Sequence, residues 1–110
     1  MTRDDLIDGL KALAHPVRYR ILEALQGGER NVSEIEDVTR IGQPALSQQL
    51  AVLRSAGLVQ TRKAAKLVFY RLDETALGAI SGAIGQFGET APPPQIRAPS
   101  SGAANFARLG

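Results

Sequence analysis

The chain has no cysteine. That removes a disulfide framework, a thiolate metal site and a thiol redox switch together. It has one histidine, His15. Zinc in a structural or sensing site takes about four ligands from Cys, His and carboxylate, so no metal site and no cofactor are expected. No apolar run approaches the roughly 18 residues that a membrane span needs. The first ten residues, MTRDDLIDGL, turn acidic early, unlike a signal peptide. A cytoplasmic protein without a membrane partner is expected. There is also no glycine-rich phosphate loop and no histidine set beside an acid, so an enzyme is not expected.

One further absence is local. Between Val38 and Leu72 there is no Asp or Glu, yet the window holds Arg40, Arg54, Arg62, Lys63, Lys66 and Arg71. The net charge of the chain is only +2, so its distribution decides the matter. A basic block free of acids is the electrostatic footprint of phosphate binding.

Within that block lies QPALSQQLAVLRSAG, residues 43–57. Leu46, Leu50 and Leu53 fall at i, i+4 and i+7, which makes one apolar helical stripe. The opposite side carries Pro44, Ser47, Gln48, Ala51 and Ser55. An ordinary solvated helix face would carry Lys and Glu. A face of Ser, Gln and Ala suits close approach to a surface, and Gln and Ser hydrogen-bond base edges. Pro44 fits the first turn and Gly57 the stop. Leu58 to Arg62 and Leu67 to Leu72 then read as two strands around a basic tip, Lys63 to Lys66. A polar-faced helix followed by a basic hairpin is the layout of a winged helix-turn-helix.

At 110 residues the chain allows one domain. Residues 1–88 hold the periodic segments. Thr2 to Ala14 reads as a helix with Leu6, Leu10 and Leu13 on one side. His15-Pro16 breaks it. A second helix runs from Pro16 to about Gln26, with Val17, Ile21, Leu22 and Leu25 buried and Arg18 and Arg20 outward. Asn31 and Glu34 form a capping box for a third helix anchored by Ile35 and Val38. Asp73 caps a fifth helix to about Phe87, whose face is Leu77, Ile80, Ile84 and Phe87. Gly78, Gly82 and Gly85 weaken that helix by about 1 kcal/mol each. They make sense if another helix packs closely there, for example across a dimer interface to which the first helix also contributes; the alternative is that both helices simply cover the protomer's own core. Residues 89–110 are rich in Pro, Ser, Gly and Ala and too polar to fold alone; a disordered tail is expected.

The motifs are specific enough to resemble a known family. Ala14-His15-Pro16 precedes Arg18 and Ile21-Leu22. Gln43-Pro44 comes with Ser47 and Leu50. Leu53-Arg54 leads to Gly57-Leu58-Val59, then to the Tyr70 strand. Over about residues 6–80 the chain resembles the ArsR/SmtB winged-helix repressors of bacteria. The resemblance implies a mainly α fold of five helices with a small β-hairpin wing. It implies a homodimer on an inverted-repeat operator in double-stranded DNA, released by an inducer. The family's third-helix metal site uses a Cys-x-Cys pair, and those positions are Asn31 and Ser33 here. Its fifth-helix site needs a His that does not follow Asp73. Thiol-based sensors of the family need Cys pairs. The chain therefore departs from the family at its sensing function, and the inducer is non-metal or unknown.

The expected DNA-binding residues are Gln43, Ser47 and Gln48 at base edges, with Arg54, Arg62, Lys63 and Lys66 on phosphates. The expected dimer contacts are Leu6, Leu10, Leu77, Ile80 and Ile84. The alternative function is a winged-helix protein-interaction module in which Gln48 and the wing meet a protein. The acid-free window favours DNA.

Overall fold

A computed structural model describes residues 1–89. Helix α1 spans Arg3–Leu13, α2 Pro16–Leu25, α3 Val32–Thr39, α4 Ala45–Ser55 and α5 Glu74–Gly85. Strand β1 is Arg30–Asn31, β2 Val59–Ala64 and β3 Leu67–Leu72. The sheet is antiparallel with order β1-β3-β2. A single 3-10 turn, Gln86–Gly88, follows α5. Apart from Glu89, the expected tail 89–110 lies outside the described residues.

Local chemistry starts and stops these helices. Thr2 caps α1 by accepting from Asp5 N–H at 3.0 Å, and Asp5 returns a bond to Thr2 N–H at 3.2 Å. Those bonds hold the Asp5 carboxyl below its ordinary range. His15 caps α2, its Nδ1 accepting from Val17 N–H at 3.2 Å. Asn31 and Glu34 form the expected capping box on α3. Helix α4 ends in a Schellman pattern. Leu58 N–H reaches Leu53 C=O and Gly57 N–H reaches Arg54 C=O, both at 3.0 Å. The pattern needs a left-handed residue, and Gly57 supplies it at φ 76°.

The core forms where all five helices meet the base of the sheet. Ile21, Ile35, Leu46, Leu50, Leu53 and Leu58 are its largest fully buried side chains. Each contributes about 1.5–3 kcal/mol by leaving water. All three residues of the α4 stripe are among them. Helix α1 meets α5 where Gly9 faces Ile80; a Cβ on Gly9 would stand 2.7 Å from Ile80 Cδ1.

Several expectations need correction. Val38 does not anchor α3; it is half exposed, and Thr39 is buried instead. The Thr39 hydroxyl donates to Ile35 C=O at 2.7 Å and accepts from Ile41 N–H at 3.2 Å, which satisfies its polar atom. Arg18 and Arg20 are not free surface groups. Arg18 donates to Ala12 C=O at 2.7 Å, Lys11 C=O at 3.3 Å and Gln49 Oε1 at 2.8 Å, tying the end of α1 to α4. Arg20 donates to Thr39 C=O. Pro44 sits at the cap of α4 rather than in its first turn. The wing tip is tighter than expected: Ala64 pairs with Leu67, so only Ala65 and Lys66 form the turn and Lys63 lies inside β2.

Candidate nucleic-acid interface

Helix α4 has two faces with different jobs. Leu46, Leu50 and Leu53 are buried at 0%, 1% and 0% exposure. Gln43, Pro44, Ser47, Gln48, Ala51 and Ser55 are all exposed. Gln43 precedes the helix, and its Oε1 accepts from Ser47 N–H at 3.1 Å. That bond satisfies one of the free donors of the first turn. The amide NH2 of Gln43 remains available. The side chains of Ser47 and Gln48 hydrogen-bond nothing among the described residues.

The wing stands beside this helix, and strand alternation sorts its cations. Adjacent residues point to opposite faces. Lys63 shares a face with Val59, which is buried, and with Thr61. Arg62 shares the other face with Gln60. The guanidinium of Arg62 lies 4.9 Å over the Phe69 ring. It also grips Glu29: Nε donates to Oε1 at 2.8 Å and to Oε2 at 3.1 Å, and a second nitrogen donates to Oε1. The hydrogen bonds from Arg62 hold the Glu29 carboxyl below its ordinary range, and Glu29 raises Arg62 in return. Of the phosphate contacts expected from sequence, Arg62 alone has an anionic partner. Arg54, Lys63 and Lys66 are exposed and make no ion pair among the described residues.

A hydrogen-bonded chain joins the wing to α5. Arg71 donates to Gln60 Oε1, and Gln60 Nε2 donates to Asp73 Oδ2 at 2.9 Å. Asp73 Oδ1 accepts from Ala76 N–H at 3.0 Å, capping α5. The backbone bond from Ala76, then the Gln60 bond, pull the Asp73 carboxyl below its ordinary range. A carboxyl lowered by folding stabilises the fold above its unfolded value. That contribution is lost as pH falls through the lowered value. Asn is also a good cap. Asp73→Asn is therefore expected to keep most of the neutral-pH stability and to flatten the acid limb. Thermal melts from pH 7 to 3 check this; identical acid slopes in both proteins would contradict it.

The expected dimer residues divide. Ile80 is 4% exposed and belongs to the protomer's own core. Leu6, Leu10 and Leu77 are half-buried against that core. Ile84 is 41% exposed. Phe87 and Ile7, which belong with Ile84 as exposed apolar groups, are 71% and 42% exposed. A Cβ on Gly78, Gly82 or Gly85 would meet nothing within 4 Å. No helix among the described residues is long and apolar enough to cross a membrane.

Helices α3 and α4 with the three-stranded wing define a winged helix-turn-helix protein. Its relatives place it further. The family model described as bacterial regulatory protein, arsR family, matches residues 15–61. The biofilm growth-associated repressor of Xylella fastidiosa is 44% identical over 91 residues, covering 76% of this chain and 80% of that protein. The transcriptional activator HlyU of Vibrio cholerae is 46% identical over 71 residues, covering 64% of this chain and 66% of that one. The crystal structure of the transcriptional repressor BigR from Xylella fastidiosa superposes with a TM-score of 0.61 at 42% identity. It covers 79% of this chain and 97% of that one. The chain belongs to the ArsR family of bacterial regulatory proteins. It is a DNA-binding transcriptional regulator and not an enzyme.

Proposed function

We propose that the chain acts as a homodimeric repressor on an inverted-repeat operator, and that its inducer is not a soft metal. The exposed, uncharged face of α4 carries this reading. Gln43, Ser47 and Gln48 stand on it with side-chain donors to spare, inside a window without a single acid. In the major groove Gln48 suits the N6/N7 edge of adenine. Arg54, Lys63 and Lys66 supply phosphate contacts around it. Arg62 joins them only by leaving Glu29.

The dimer is supported by α5. From Thr75 to Gly88 there is no charged side chain, and much of this stretch is exposed. Ile84, Phe87 and the open glycine edge then form the two-fold contact, with Ile7 of α1 beside them. Leu6, Leu10 and Leu77 support it from below. Two α4 helices set about 34 Å apart meet successive major grooves. The inducer is left to non-thiol chemistry. The only histidine spends its Nδ1 on capping α2.

Gln48→Ala is expected to relax sequence preference at a cost of about 1–3 kcal/mol. Lys66→Ala is expected to weaken all duplexes alike and to lower the salt slope by about 1. Titrations of operator and scrambled duplexes across salt check both. An affinity that does not fall with salt would sink the DNA reading.

A further inference from the structure

Among the described residues, two that are not glycine adopt a left-handed backbone, Arg40 at φ 62° and Ala65 at φ 56°. One sits at the corner between α3 and α4. The other sits at the wing tip. Those are the two turns flanking the proposed reading surface. Strain of this kind gathers where function requires it. The left-handed region crowds any Cβ, so glycine fits Arg40's position at lower cost.

The side chain of Arg40 gives the strain a purpose. Arg18, Arg20, Arg30, Arg62 and Arg71 each donate to a protein oxygen. Arg40, like Arg3 and Arg54, is exposed and donates to none among the described residues. Glu36 and Asp37 lie one turn back on α3, yet neither forms an ion pair with it. Its backbone N–H closes α3 on Glu36 C=O at 2.7 Å. The next residue, Ile41, is buried at 8%. The corner is thus fixed from both sides, and it delivers an unpaired guanidinium three residues before Gln43.

We infer that Arg40 is a phosphate-contact residue of the operator complex, kept in a strained backbone for the charge it places beside the start of α4. This rests on the DNA reading above. The ligand is a backbone phosphate flanking the bases that Gln43 and Ser47 approach. Base identity plays no part in it.

The test uses the full chain as wild type, Arg40→Gly, Arg40→Lys and Arg40→Gln. Wild-type affinity for an operator duplex is measured first across salt. Arg40→Gly is expected to melt roughly 4–8 °C higher, because the strain is relieved. It is expected to bind operator and scrambled duplex about threefold to tenfold more weakly, with a salt slope smaller by about 1. Arg40→Lys should keep the slope. Arg40→Gln should lose it without the gain in Tm. A purely structural role moves stability and affinity together, whereas this role moves them in opposite directions. Arg40→Gly binding like wild type, with the wild-type slope intact, overturns the inference and leaves the DNA reading standing. A wild type that binds no duplex overturns both.

Discussion

Replacing Ile84 with aspartate is expected to turn the protein into a monomer and to lower operator affinity by about a hundredfold or more. Linking two binding modules raises avidity by about 10²–10⁴, and the loss of one partner forfeits that gain. Ile84 is chosen because of where α5 spends its side chains. Ile80 is consumed by the protomer's own core, where it meets Gly9. Ile84 lies one helical turn further on and is 41% exposed. A charge there costs the isolated protomer little, since substitutions at exposed sites usually stay within about 0.5 kcal/mol. In a two-fold contact the same charge faces apolar surface, and near the axis its own copy. Light scattering at micromolar concentration reads the mass, and a melt confirms that the protomer is folded. A stable dimer of Ile84→Asp, or a monomer that still holds the operator tightly, would contradict the proposed assembly.

What the amino-acid order reveals here is whatever depends on near neighbours. Leu46, Leu50 and Leu53 announce α4 by period alone, and all three are buried. Asn31 and Glu34 announce the start of α3, because the partners of a capping box lie only three positions apart. Partners far apart along the chain were not legible. Arg18 finds Gln49 across 31 positions, and Arg62 finds Glu29 across 33. No local rule pairs them, so from sequence Arg18 reads as an outward charge and Arg62 as a phosphate contact. Strand β1 is two residues long, too short to carry an alternation. The hairpin register was blurred for another reason. Its turn holds Ala65 where a glycine or asparagine would have marked the position. With the register in hand, Lys63 and Arg62 separate at once onto opposite faces.

Leu50→Ala is expected to cost about 2–5 kcal/mol, the range for a fully buried leucine cut to alanine. The Leu50 side chain is 1% exposed and sits between Leu46 and Leu53 on the inner face of α4. Around it the core holds Ile21, Leu25, Ile35 and Leu58. Truncation leaves a void that a close-packed interior closes only in part, so transfer and cavity costs add. Small domains are stable by about 5–15 kcal/mol. The variant therefore gives up a large share of its stability and should melt at least about 10 °C below wild type. DNA binding is lost with it, although Leu50 touches no base. The contrast with Gln48→Ala shows how α4 is built. Gln48 lies two residues away on the exposed face, with no hydrogen bond to hold among the described residues. Its removal should leave the melting temperature within a few degrees and change only which duplex is preferred. One helix thus separates folding on its inner stripe from recognition on its outer one. A Leu50→Ala protein that melts like wild type would show that α4 is not the pillar of this core. A Gln48→Ala protein that melts far below wild type would show that its outer face is not free for DNA.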